Sequence, residues 1–362
     1  MHQMLIMNLM IKSYMNSKIE KYCSLMRNIC VITGSRSEYG LLKPLLKKIS
    51  DSNDHELTLV ATGMHLSEKF GYTLKEIIED GFKIDYKVDT LINFDSPASI
   101  IESTGIGIIK FGKLFESYRP DLIIILGDRF EIFSVAYAGH ISKIPIAHIH
   151  GGEKTVGAFD DSLRHAITKM SKLHFVSTME YAKRVIQLGE NPDKVFYVGA
   201  LCLDAIKSTE LMNKNDLEKE LNFKFGKKNI LVTYHPETLS SSSSKDEFST
   251  ILAALELQTK INLIFTSPNA DTDGRIIIDM INDFVKKNFN RSMFIPSMGS
   301  KKYYSTLQFI DGVLGNSSSG IIEAPNFKIG TINIGDRQKG RVQANSTINC
   351  KYSITSIGKA IE

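Results

Sequence analysis

No run of apolar residues in this 362-residue sequence approaches the ~20 that a membrane-spanning helix needs, so no membrane association is expected. Cysteine is scarce. Cys23, Cys30, Cys202 and Cys350 lack metal-type spacing, and Cys30 falls inside an apolar strand pattern. They read as reduced structural thiols of a cytosolic protein. Charge of either sign has little excess: the net charge is +4 and the Lys and Arg residues are scattered, which gives no reason to expect nucleic acid. What is present, 43% hydrophobic and 23% charged residues, excludes the disordered and fibrous classes. The length suits two domains with cores of their own.

Met1 to Ile11 is Met-rich and apolar but has neither a basic start nor a small-residue cleavage site, which argues against a secretory signal. Met26 precedes the first clear strand. Residues 1–26 are therefore expected to be a poorly ordered extension, with Met26 the natural start.

From there apolar strands alternate with amphipathic helices, the pattern of parallel sheets with crossover helices. Strands are expected near Asn28–Ile32, Glu56–Ala61, Leu122–Leu126, Pro145–His148, Leu173–Val176 and Val195–Val198. A second set is expected near Asn229–Thr233, Asn262–Phe265, Ser292–Ile295, Gly312–Leu314 and Thr331–Ile334. Two such sets exceed one sheet. The expectation is α/β: two Rossmann-type, doubly wound domains, residues 27–200 and 201–362, with an interdomain cleft between their polar strand ends. The changeover falls in Leu201–Phe225, where Lys and Glu alternate with Leu at helical spacing, and Ser240–Ser244 reads as an exposed loop.

The stretch Pro120–Lys169 organises the chain. Leu122–Leu126 is too apolar to have a wet face, so it should be a central strand that delivers Asp128 and Arg129 to the ligand-binding crevice. Pro145–His148 ends in His150-Gly-Gly-Glu153, and Asp160-Asp161-Ser162 looks like a helix start carrying Arg164 and His165. His148, His150 and Glu153 could be metal ligands, because alternate strand residues share a face, or members of a hydrogen-bond network. The network is the preferred reading, with His148 in support, and neither metal nor cofactor is expected. Gly315-Asn-Ser-Ser-Ser-Gly-Ile-Ile-Glu323 can aim backbone N–H groups and hydroxyls at a diphosphate, with Glu323 placed for a ribose diol; a capped helix start without ligand is the alternative. No Gly-Lys-Ser/Thr follows, so it is not a P-loop. Gly335-Asp-Arg-Gln-Lys-Gly-Arg341 and Arg36 add cations, and His235 follows a strand on a His-Pro turn.

Eight strings carry a family resemblance: Thr33-Gly-Ser-Arg-Ser-Glu-Tyr-Gly40, Ala61-Thr-Gly-Met-His65, Leu126-Gly-Asp-Arg-Phe-Glu131, His148-Ile-His-Gly-Gly-Glu153, Asp160–Lys169, Tyr234-His-Pro-Glu237, Gly315–Gly320 and Ile334–Arg341. In this order they resemble the hydrolysing UDP-N-acetylglucosamine 2-epimerases of bacterial sialic and legionaminic acid synthesis. The non-hydrolysing enzymes have Thr where this chain has Arg129. The resemblance implies a glycosyltransferase-B-like fold, a UDP-sugar substrate and release of N-acetylmannosamine and UDP by elimination and then hydration. It also implies a cytoplasmic homo-oligomer, a dimer or tetramer. Residue by residue, Asp128, Glu153 and Asp160 would form the acid/base group with Asp161 in reserve, and His235 would act at the leaving diphosphate. Arg36, Arg129, His150, Arg164, His165, Ser267, Asn316, Ser317, Ser318, Ser319, Gly320, Glu323, Arg337 and Arg341 would bind substrate. UDP-N,N'-diacetylbacillosamine is the alternative substrate, and a glycosyltransferase on the same scaffold the alternative class. A helix is expected to begin near Ser353, and the sequence stops at Glu362 where family members usually continue.

Overall fold

The computed structural model describes residues 26–92, 96–156, 158–237, 243–268 and 273–362. Apart from Met26, the expected extension lies outside the described residues, as do residues 240–242 of the expected serine loop. Ser243 and Ser244 belong to a helix instead, because the Ser243 side chain accepts a hydrogen bond from the Asp246 amide and so caps it.

The chain divides into two compact units: Met1–Asn93, Ala98–Glu153 and Asp160–Ser208 in the first, and Phe94–Pro97, Lys154–Phe159 and Thr209–Glu362 in the second. In the first, β1 (Arg27–Thr33), β2 (His55–Thr62), β3 (Tyr86–Val88), β4 (Leu122–Leu126), β5 (Ile146–Ile149), β6 (Leu173–Val176) and β7 (Val195–Tyr197) form one sheet. Its order is β3-β2-β1-β4-β5-β6-β7, and every pairing is parallel. Helices α1 (Arg36–Ser50), α2 (Leu74–Glu79), α3 (Pro97–Ser117), α4 (Phe130–Ile141), α5 (Asp160–Met170), α6 (Met179–Gln187) and α7 (Cys202–Ser208) accompany it.

Successive residues of one strand feed opposite cores, which is why these strands are apolar throughout. Leu122, Ile124 and Leu126 join Ile29, Val31 and the α1 leucines Leu42, Leu45 and Leu46 on one face. Ile123 and Ile125 join Cys30, Ile32, Phe111 and Phe115 on the other.

The second unit repeats the plan with β8 (Asn229–Thr233), β9 (Asn262–Thr266), β10 (Ser292–Ile295), β11 (Gly312–Gly315), β12 (Gly330–Ile334) and β13 (Thr347–Cys350). Their order, again parallel, is β10-β9-β8-β11-β12-β13. Its helices are α8 (Lys214–Leu221), α9 (Ser244–Glu256), α10 (Gly274–Lys287), α11 (Gly299–Leu307), α12 (Ser318–Ile322) and α13 (Ile354–Ile361). Phe248, Ile251, Ile277 and Ile357 cover Ile230, Val232, Leu263 and Leu314. Every strand expected from the sequence is present, and β3 and β13 are additional edge strands. Among the described residues no helix is long and apolar enough to cross a membrane.

Candidate active site

In each sheet the chain order reverses at one place, between β1 and β4 in the first unit and between β8 and β11 in the second. Loops leaving neighbouring strands on opposite sides open a crevice there.

At the carboxyl end of β4, Gly127 takes φ +83° and turns the chain so that Asp128 follows the strand. His148, fully buried on β5, fixes this turn: its Nε2 lies 2.8 Å from the Gly127 carbonyl and its Nδ1 3.1 Å from Thr168 Oγ1. Burial lowers its pKa to about 3, so it is a neutral imidazole that supports the turn. After β5 the backbone enters the left-handed region at His150 (φ +64°) and Gly152 (φ +78°). A side chain at 152 would meet the Tyr181 carbonyl at 2.5 Å, so glycine is required, and Glu153 follows into the interior.

Glu153 and His150 are a defined pair. The Leu201 amide lies 3.4 Å from His150 Nε2, which places the imidazole proton on Nδ1, facing Glu153 Oε1 at 3.2 Å. Ser177 donates to the same carboxylate oxygen at 3.0 Å. Arg164, buried on α5, joins these groups: it donates to Asp128 and, at 2.9 Å, to the His150 carbonyl, and lies 3.9 Å from Glu153. Asp160, the buried first residue of α5, stands one turn before Arg164. Burial opposes the guanidinium charge, but Asp128, Glu153, Asp160 and Asp161 outweigh it and raise the Arg164 pKa. Asp161 faces His165 at 3.7 Å on a half-exposed face of the helix.

Arg184 donates to the Gly152 carbonyl and so braces the turn that carries Glu153, whereas Arg36 and Arg129 have acidic neighbours outside this cluster. Arg36, at the start of α1, lies 4.0 Å from Glu76; burial lowers its pKa although Glu76 opposes the shift. Arg129 turns to Glu131, 3.5 Å away, and stacks on the Phe130 ring. Sequence reasoning missed Glu38, which is buried and accepts the Gly34 amide at 2.8 Å. Burial, followed by the charge of Glu131, raises its pKa to about 8. Both glutamates stand in the motif strings, Glu38 three residues after Ser35 and Glu131 three after Asp128, and that spacing was the available signal.

In the second unit Gly315 ends β11 with φ +137°, and a Cβ there would lie 1.9 Å from the Thr233 carbonyl, so no other residue fits. Asn316 is fully buried and clasps the end of β8: Oδ1 accepts the His235 amide and Nδ2 donates to the His235 carbonyl, both at 2.7 Å. Its side chain therefore holds protein rather than facing outward. Ser317 caps α12 by accepting the Ser319 amide at 3.3 Å, Ser318 opens the helix, and Ser319 Oγ meets Tyr303 Oη. The Gly320 carbonyl accepts from Thr331 at 2.6 Å. Because α12 has only five residues, the turn offers an anion amides and hydroxyls more than a summed dipole. Tyr304 orients Glu323 with a 3.0 Å hydrogen bond.

Arg337 and Gln338 donate to the Asn316 carbonyl at 3.3 and 2.8 Å. Arg341 donates to the Lys154 carbonyl at 3.0 Å and to Thr155 Oγ1 at 3.3 Å, so it anchors that segment. Ser267 follows β9, half-buried. Glu237, which sequence reasoning passed over although it closes the Tyr-His-Pro-Glu string, accepts the Asp336 and Arg337 amides at 3.1 and 3.3 Å and the Tyr352 hydroxyl at 2.7 Å.

The family model described as UDP-N-acetylglucosamine 2-epimerase matches residues 47–362. A GDP/UDP-N,N'-diacetylbacillosamine 2-epimerase (hydrolyzing) of Campylobacter jejuni is 43% identical over 93% of this chain and 87% of its own. The polysialic acid biosynthesis protein P7 of Escherichia coli is 42% identical over 93% and 85%. The crystal structure of the Methanocaldococcus jannaschii UDP-GlcNAc 2-epimerase with UDP-GlcNAc and UDP superposes with a TM-score of 0.77 at 20% identity, covering 92% of this chain and 91% of that one. At that identity it supports the fold.

Proposed function

This chain belongs to the UDP-N-acetylglucosamine 2-epimerase family, and from that premise we propose that it is the hydrolysing enzyme, converting UDP-N-acetylglucosamine and water to N-acetylmannosamine and UDP for sialic acid synthesis. The observation that carries the chemistry is the gathering of Asp128, Glu153 and Asp160 around Arg164.

A base removes the proton at C2 of the sugar while the C1–oxygen bond to UDP breaks, leaving a C1–C2 alkene. Water then adds its hydroxyl to C1, and a proton enters C2 from the opposite face. Asp128, Glu153 and Asp160 are the acid/base group, with Asp161 in reserve. Arg164 holds them in place, and the His150 proton orients Glu153. His235, Ser317 and Ser318, with Arg337, take the diphosphate charge that grows as UDP leaves, and Glu323 takes the ribose.

A cytoplasmic homo-oligomer completes the proposal. The free thiols of Cys30 and Cys350 suit a reducing compartment. Ile101 and Ile109 on α3 and Tyr137 and Ile141 on α4 are exposed on helices that meet where Ser134 Oγ lies 3.0 Å from the Thr104 carbonyl, which suits a subunit contact.

Incubation with UDP-N-acetylglucosamine in D2O without added metal, followed by NMR, tests the reaction. Free UDP and N-acetylmannosamine carrying deuterium at C2 are expected; protium retained at C2 would refute proton abstraction by these acids. The Campylobacter jejuni relative favours a second reading, the same chemistry on UDP-N,N'-diacetylbacillosamine. Turnover of that sugar alone would reassign the substrate and keep the mechanism.

A further inference from the structure

Three strand ends of the second unit are tied into a closed circuit that begins and ends at Glu237. Its Oε1 accepts the Asp336 and Arg337 amides after β12. The Arg337 and Gln338 side chains reach the Asn316 carbonyl after β11. The Asn316 side chain returns to both main-chain groups of His235, two residues before Glu237. Glu237 is buried and receives a third hydrogen bond from Tyr352, at the end of β13. The fit is close: with Gly335 at φ +78°, a Cβ there would lie 2.2 Å from Glu237 Oε1.

We propose that Glu237 is the positioning residue of the nucleotide site, fixing through this circuit the Asn316–Ser319 turn, Arg337 and His235 in the arrangement that receives the UDP diphosphate. The proposal rests on the reading of the second unit as the UDP-binding unit. Glu237 touches no reacting atom in this scheme. It acts by removing the freedom of three loops before the ligand arrives, so its loss appears in nucleotide affinity first.

The test compares the wild-type chain with Glu237→Ala, Glu237→Gln and Tyr352→Phe by calorimetric titration with UDP, by kcat and KM, and by thermal unfolding. Glu237→Ala is expected to weaken UDP binding and raise KM by about tenfold or more, with a smaller change in kcat. Glu237→Gln, whose amide oxygen can take the same three donors, is expected to stay within about threefold of wild type in UDP affinity. A Glu237→Ala chain that melts earlier but binds UDP within about twofold of wild type would overturn the proposal, as would a Gln variant no better than Ala. If Glu237→Ala does not fold, Tyr352→Phe decides: weakening of UDP binding by about threefold or more supports the proposal, and unchanged affinity overturns it. A wild-type chain that binds no UDP would overturn the functional reading and this proposal with it, and the wild-type titration alone shows that.

Discussion

Arg164 holds Asp128 from behind: one guanidinium nitrogen donates to the carboxylate while another donates to the His150 carbonyl at 2.9 Å. The same cation thus fixes the turn after β4 and the turn after β5. The Asp128 carboxylate is thereby aimed in one direction, as the proposed proton transfer requires, and Glu153 is carried on the second turn held by that arginine.

Asp128→Asn is expected to lower turnover by a factor on the order of a hundred or more while UDP binds as before. The separation follows from topology, since Asp128 follows a first-unit strand and the turn proposed for the diphosphate belongs to the second unit. His235→Asn is expected to reduce both. Steady-state kinetics with calorimetric titration of UDP would check the pair, and a parallel loss of affinity in Asp128→Asn would remove that residue from the acid/base role.

Two glycines with positive φ should respond differently to alanine. At Gly315 the new Cβ would lie 1.9 Å from the Thr233 carbonyl, so Gly315→Ala must move the backbone of β8 or β11. A loss of more than ~2 kcal/mol and weakened UDP binding are expected. At Gly127 nothing lies within 4 Å of the added carbon, so Gly127→Ala meets only the left-handed backbone penalty, about 1–2 kcal/mol. Urea unfolding of both variants would show whether the larger loss belongs to position 315.

Glu38 and His148 give stability opposite dependences on pH. The folded chain keeps a proton on Glu38 up to about pH 8, whereas its ordinary value is 4.5, so this contribution is full below pH 4.5 and lost as pH rises toward 8. His148 is held neutral down to about pH 3 against an ordinary 6.5, so its contribution is full above pH 6.5 and lost as pH falls. Glu38→Gln should therefore flatten the alkaline decline between pH 4.5 and 8 and leave the acid limb in place. Chemical denaturation across pH would check it; an unchanged alkaline limb in the variant would contradict a buried neutral Glu38.

The central strands are readable from sequence because burial on both faces leaves an uninterrupted apolar run, as in Leu122–Leu126. β3 and β13 are not, because strands of three and four residues at sheet edges expose most of their side chains and carry no run. The acids around Arg164 are legible as a group, since strand ends and a helix start deliver them in order. Direction is what the strings conceal. Arg129 turns toward Glu131, and Arg341 donates to the Lys154 carbonyl. The Asn316–His235 clasp joins residues 81 apart, a separation at which no local pattern speaks.

In the circuit through Glu237, Arg337, Asn316 and His235, each residue serves two links, so loosening one turn weakens the support of its neighbours. The amides of His235, Asp336 and Arg337 all donate to side chains of this circuit, so their protection from solvent exchange is expected to rise and fall together.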